Sequence, residues 1–385
     1  MKKEIKITIG QNYFDILQNF KEVNDIKSNS VAIEKILFDN YAKKLEKPFD
    51  YFTINNRRYL GSKTKILDFI QNSINKHIPN YESFLDIFSG TGVVASHFNN
   101  KTTKIITNDI LFSNYVIHYA FFSDDTYDKN IINELLDYFN NITPIDNYFS
   151  DNFGNKFFSF NVSKKIGTIR EEIENLTNRI SKREKYILIT SLIYSIDKIA
   201  NTCGHYDAFR KNSSMPSDFK MKPLDIDNSV NTGNIILNEN ANDIITKLDP
   251  VDILYLDPPY NSRQYISAYH LIENLARWDK PKVEGIASKM VNRKDYNSEY
   301  CLKTAIEAFE DLITKAKAKY IILSYSDMAK KGNNRSNARM SDEDIIRILA
   351  NKGTLTIESI KHKPFSTGKT NLETHNERLF ICKTH

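Results

Sequence analysis

The chain has 385 residues, 41% apolar and 26% charged, and its 53 Lys plus Arg against 48 Asp plus Glu leave a net charge of +5. This composition excludes a disordered tail, a collagen-like fibre and a disulfide scaffold, and the length suffices to bury a core without staples. A mildly basic total permits a nucleic-acid partner without demanding one.

The opening MKKEIKITIGQNYF holds no apolar core of signal-peptide length. Residues 1–50 read as an N-terminal extension of unassigned role, a short strand and one or two helices. Val31, Ile33, Ile36, Leu37 and Tyr41 sit at helical spacing from Ser30, and Lys47-Pro48 ends that run. From Tyr59 the pattern becomes regular. A Gly61-Ser62 turn leads into a helix over 64–77, then an apolar strand over 83–88. The turn Ser89-Gly90-Thr91-Gly92 passes into a helix from Val93, and a strand over 104–107 ends at Asn108-Asp109. Strand, glycine turn, helix, strand and acid open a doubly wound α/β sheet.

Residues 121–232 exceed what a sheet connection needs. They hold predicted helices over 166–180 and 184–202 and a polar stretch over 211–232, and read as an inserted, mainly helical domain. The α/β pattern resumes with a strand over 252–256 that ends in Asp257-Pro258-Pro259-Tyr260. Helices over 267–278 and 298–317, a strand over 320–324, a helix over 342–350 and strands over 355–360 and 378–382 follow. The expected fold class is α/β, a Rossmann-like sheet from 51–120 and 233–385 interrupted by the insert. Cys203, Cys301 and Cys382 are far apart and odd in number, which fits neither a disulfide framework nor a CxxC metal knuckle. A reducing cytoplasm, no metal and no membrane partner are expected.

Three motifs carry chemistry. In LDIFSGTGVV, residues 85–94, two glycines let the backbone turn tightly at a strand end and approach a ligand, and the helix behind them offers free N–H groups. Asp109, at the end of the next strand, is placed to accept both hydroxyls of a ribose, which points to a nucleoside-bearing ligand. The missing third glycine counts against NAD. Taken alone, the motif equally fits a tight turn with a surface acid.

The tetrapeptide Asp257-Pro258-Pro259-Tyr260 decides more. An amino group conjugated to a purine ring is a poor nucleophile, because its lone pair is delocalised. A carboxylate and a backbone carbonyl that both accept its hydrogens favour the pyramidal, reactive form. Asp257 and the Pro258 carbonyl supply that pair, the prolines fix the turn and remove competing donors, and Tyr260 offers a ring to an extruded base. The third motif, Arg57-Arg58-Tyr59-Leu60-Gly61-Ser62-Lys63 followed by Lys65, is a basic turn without acids. It suits the carboxylate of an amino-acid-like ligand or phosphates, and equally a solvated surface.

RYLGSK, LDIFSGTGVV, NDI and DPPY, in that order, resemble the Dam-type (class alpha) DNA adenine-N6 methyltransferases, which include restriction-system modification methylases of the NlaIII and FokI types. The resemblance covers about 57–120 and 234–327. It implies S-adenosyl-L-methionine as cofactor, duplex DNA as partner, a restriction endonuclease acting separately, and target recognition by the insert. By position, Tyr59 and Lys63 line the cofactor pocket with Asp86, Phe88, Gly90 and Gly92. Asp109 takes the ribose, Asp257 touches cofactor and target amine, and Arg58 stands at a basic DNA contact. Asn240 stands where the family often has an acid near the cofactor adenine, and its amide both donates and accepts.

Further DNA contacts are expected from His205, Tyr206 and Arg210, in a dense polar-aromatic patch of the insert. Lys330 and Arg335, in the acid-free stretch 328–340, and the lysines of 361–370 are also candidates. The rival readings are an RNA adenine-N6 methyltransferase, a protein-amide methyltransferase and a vestigial DNA-binding protein.

Overall fold

A computed structural model describes residues 11–23, 26–33, 35–36, 51–211, 213–260, 262–326, 340–362 and 375–385. They divide into two compact units, Met1–Tyr51 and Phe52–His385. The first contains helix α1 (Gln11–Val23), which buries Leu17, and helical residues at 29–33 and 35–36, where a helix from Ser30 is expected. Leu37, Tyr41 and Lys47-Pro48 lie outside the described residues.

The second unit is built on a seven-stranded sheet. In chain order, a 3-10 turn at Thr64–Ile66 leads into α2 (Leu67–His77), β1 (Ser83–Asp86), α3 (Val93–Phe98), β2 (Lys104–Asn108) and α4 (Phe112–Phe122). Four helices follow, α5 (Lys129–Asn140), α6 (Tyr148–Phe153), α7 (Phe160–Asn175) and α8 (Lys182–Ile199). Then come β3 (Ile235–Leu237), α9 (Ala241–Ile244), β4 (Val251–Leu256), α10 (Tyr265–Ala268) and α11 (His270–Arg277). A two-stranded ribbon, β5 (Val283–Glu284) and β6 (Lys289–Met290), precedes α12 (Ala305–Lys315), β7 (Ala318–Ser326), α13 (Asp342–Lys352), β8 (Gly353–His362) and β9 (His375–Thr384).

The strand order is β3-β2-β1-β4-β7-β9-β8, parallel from β3 to β7, with β9 antiparallel to both β7 and β8. The central strands β1, β2 and β4 are short apolar runs because both of their faces are covered, whereas the edge strand β8 is ten residues long and mostly exposed. Alternate residues of the central strands go to opposite cores. Phe84, Ile105, Ile253 and Ile322 join one, and Leu85, Ile106, Leu254 and Leu323 the other. The second core is closed by α9, α12 and α13 through Ile244, Phe309 and Ile345. The first is closed by α2, α3 and α4, and the helices of 121–232 continue it without a break through Ile166, Ile169, Ile187 and Ile193.

Element boundaries depart from expectation where side chains compete with the pattern. α8 begins at Lys182, two residues early, because Ser181 and Glu184 form a reciprocal capping box. The helix expected over 298–317 starts at Ala305. Before it lies a 3-10 turn, Glu299–Cys301, held as Tyr300 turns inward to donate to Asn242 Oδ1 at 2.9 Å. The helix expected over 267–278 is two pieces meeting at Tyr269, and it ends with Trp278 in the left-handed region at φ 62°. No helix among the described residues is long and apolar enough to cross a membrane.

Candidate active site

The chain winds outward in both directions from β1 and β4, so the crevice beyond their C-terminal ends is where an open α/β sheet receives a ligand. One cavity opens there. Tyr59, Lys63, Asp86, Phe88, Gly90, Asp109, Asn240 and the whole of Asp257 to Tyr260 line it. Segments from Tyr59 to Tyr300 thus meet at the C-terminal ends of the central strands.

The glycine turn is shaped by contacts that leave no room for a side chain. Gly92 caps α3 at φ +76°, and a Cβ there would lie 2.9 Å from the His118 ring. Gly92 itself does not line the cavity; it sets the path of the residues that do. His118 Nε2 lies 3.1 Å from the Gly90 carbonyl, and burial lowers its pKa to about 3, so the neutral ring donates to that oxygen. Asp109 closes the turn from the other side. Its Oδ2 accepts from Gly90 N and its Oδ1 from Leu111 N, each at 2.8 Å. Burial raises Asp109 to about 6 against the pull of those two bonds. Asp86 is deeper, 1% exposed, and its Oδ1 has no hydrogen-bond partner. Burial, then Asp257 and Asp109, hold that carboxyl well above the usual range.

On the β3 side, Phe88 meets Tyr300 edge to face, with centroids 4.8 Å apart. Asn240 caps α9, its Oδ1 accepting from Asn242 N at 2.9 Å. On the β4 side, Lys63 Nζ lies 2.8 Å from Asp257 Oδ1 and 3.3 Å from Glu377 Oε1, with the Gly61 carbonyl at 3.4 Å. Burial alone would lower the Lys63 pKa, but the two carboxylates outweigh it and hold the ammonium well above its ordinary value. Burial raises Asp257 to about 6, against the pull of Lys63. Tyr59 is stacked on Tyr269 at 4.3 Å, and Arg57 lies over both rings at 5.1 and 5.4 Å. Tyr260 stands edge-on to Tyr325 at 6.3 Å.

Comparison with known proteins falls on the same segments. Residues 59–335 match the D12 class N6 adenine-specific DNA methyltransferase family, from the tyrosine beside the basic turn to beyond the Asp-Pro-Pro-Tyr strand. The chain belongs to this family. It is 34% identical over 343 residues to the modification methylase StsI of Streptococcus sanguinis, a match covering 84% of this chain and 50% of that protein. It is 32% identical to the modification methylase LlaI of Lactococcus lactis, covering 84% of this chain and 53% of that one. It is 29% identical to the type II methyltransferase M.NlaIII of Neisseria lactamica, covering 82% and 95% respectively. The chain thus spans about half the length of the first two curated relatives.

Within the family frame, the outer residues divide. Arg58 is exposed, whereas its neighbour Arg57 is buried, 3.5 Å from Asp197 and 2.6 Å from Asn114 Oδ1. Arg210 is exposed. His205 faces Asp207 at 3.7 Å, and Lys289 and Arg263 approach the same carboxylate. Tyr206 is 3% exposed with its hydroxyl on Asp197, so in this conformation it presents no surface to DNA and serves the core. Lys330 and Arg335 lie outside the described residues, as do Lys363 and Lys369. Sequence reasoning did not single out Glu377, Tyr300 or Tyr269. Each reaches the site from a distant segment, through contacts that its neighbours in sequence do not announce.

Proposed function

We propose that the chain is a site-specific DNA methyltransferase that moves a methyl group from S-adenosyl-L-methionine to adenine N6 in duplex DNA, as the modification component of a restriction system. Family membership and modification-methylase relatives support the class. The single observation that carries the chemistry is the Asp-Pro-Pro-Tyr turn, with Asp257 held through one oxygen by a buried lysine at the cavity wall.

The residues present fit the cofactor. The orphaned Asp86 Oδ1 and the carboxylates of Asp109 and Asp257 suit a ligand that is cationic and carries ribose and amino donors, and Gly90 leaves the approach open. Tyr59, Lys63, Phe88, Asn240 and Tyr300 would complete its walls. When bound, S-adenosylmethionine supplies an electrophilic methyl group. Asp257 Oδ2 and the Pro258 carbonyl accept the two hydrogens of the target amino group and hold its nitrogen pyramidal. Tyr260 stacks on the extruded base, and leaving the duplex costs about a few kcal/mol. The work of the protein is positioning and electrostatics. The helices of 121–232, with Arg58, His205 and Arg210, are proposed as the target-recognition region.

Asp257→Ala tests the reading. Methyl transfer falls about a hundredfold or more, while the thermal midpoint changes little, because Lys63 keeps Glu377 and the Gly61 carbonyl. A fully active Asp257→Ala protein would contradict the mechanism.

A further inference from the structure

Lys63 is shared. Its ammonium has three hydrogens and meets three acceptors: Asp257 Oδ1 at 2.8 Å, Glu377 Oε1 at 3.3 Å and the Gly61 carbonyl at 3.4 Å. Lys63 and Glu377 side chains are 7% and 11% exposed, so the contacts are made away from bulk water, where charge pairing is strong. Glu377 is itself anchored, because Ser324 Oγ donates to the same Oε1 at 2.9 Å from the neighbouring strand β7. Two carboxylates on one ammonium leave the cluster with one net negative charge. No donor among the described residues reaches Asp257 Oδ2, and the Asp257 side chain is 20% exposed, towards the cavity.

We propose that Glu377, on the antiparallel strand β9, is a positioning residue for Asp257: it holds Lys63 between two carboxylates, confines it to Oδ1 and leaves Oδ2 free for the target amine. This rests on the reading of Asp257 as the acceptor of that amine. Without Glu377, Lys63 pairs with Asp257 alone, and its positive charge offsets that carboxylate undivided. The carboxylate then accepts hydrogens less well and has no second anchor to fix the lysine. The charged and titratable groups around Asp257 are Lys63, Glu377, Asp86, Tyr255, Tyr260 and Tyr265. Of these, removing the Glu377 charge eliminates a like charge and strengthens an opposite one, so both effects favour ionised Asp257.

Glu377→Gln keeps the shape and the Ser324 contact while deleting the charge. In the protein without ligand, carbon-13 NMR of labelled aspartate carboxyls reads the Asp257 titration. Its midpoint moves to lower pH by about one unit in the variant. In steady-state methylation of DNA alongside wild type, kcat falls roughly tenfold, the cost of loosening a positioned group, and KM for DNA holds. Should Glu377→Gln fail to fold, Ser324→Ala, which frees Glu377 from its anchor, gives smaller shifts of the same sign. An Asp257 midpoint equal to that of wild type, or an unchanged kcat, overturns the proposal. A purely structural Glu377 would lower the thermal midpoint and leave the titration where it was. Wild-type protein that binds S-adenosylmethionine but transfers no methyl group to DNA would instead overturn the proposed function.

Discussion

Asp257 titrates near 6 because burial disfavours its charge more than Lys63 restores it. An acceptor must be ionised to work, so kcat/KM rises with pH through a midpoint near 6, and a profile flat from pH 5 to 8 would contradict the assignment. The same shift acts on stability with a fixed sign. A carboxyl raised from 3.8 to about 6 contributes stability that is whole below pH 3.8 and is lost as pH rises through 6. The Asp257→Asn protein escapes that loss. Its urea stability relative to wild type therefore increases between pH 4 and pH 7, by on the order of 1–3 kcal/mol. A pH-independent difference would mean that Asp257 is unperturbed. Gly92 answers to packing instead. Gly92→Ala meets the His118 ring at 2.9 Å in a left-handed backbone, and it lowers stability by about 1–3 kcal/mol in urea titration.

At the level of elements, the site's walls come from pieces of differing legibility. The glycine turn, Asp109 and the Asp-Pro-Pro-Tyr turn stand at the ends of β1, β2 and β4 as their residues imply, because a glycine, an acid or a proline pair after an apolar run has few alternative geometries. α4 left no such trace. It is buried through Ser113, Asn114, Val116, Ile117, His118 and Ala120, so no polar face marks its period. The turn at Glu299–Cys301 was illegible for another reason. Its course is set by Tyr300, whose hydroxyl reaches Asn242 and whose ring meets Phe88, both far away in sequence. Glu377 is the extreme case, an ordinary strand residue made functional only by the pairing of β9 with β7. Tyr300→Ala removes one aromatic wall of the cavity. S-adenosylmethionine binding by calorimetry is expected to weaken about tenfold, in line with an aromatic contact of roughly 0.5–1.5 kcal/mol. Unchanged affinity would place the cofactor elsewhere.

Across the whole molecule, the region proposed for target recognition is joined to the catalytic sheet through a common core. Arg170 of α7 makes the join explicit: its guanidinium donates to the Leu275 and Ala276 carbonyls at the end of α11, at 2.8 and 3.1 Å. The single tryptophan, Trp278, sits at that joint, with its Nε1 on Glu171 and the Arg170 guanidinium 5.4 Å from its ring. Trp278 fluorescence and far-ultraviolet circular dichroism therefore follow one urea transition for this unit. A separate, earlier fluorescence transition would show that the helices fold as an autonomous domain. The most direct test of the central claim is made in a host that lacks adenine methylation. The chain and its Asp257→Ala variant are each expressed there, and modified bases are read across the genomic DNA by long-read sequencing. N6-methyladenine confined to one short motif, and absent with the variant, is the expected result. Unmethylated adenine throughout, from folded wild-type protein that binds S-adenosylmethionine, would contradict it.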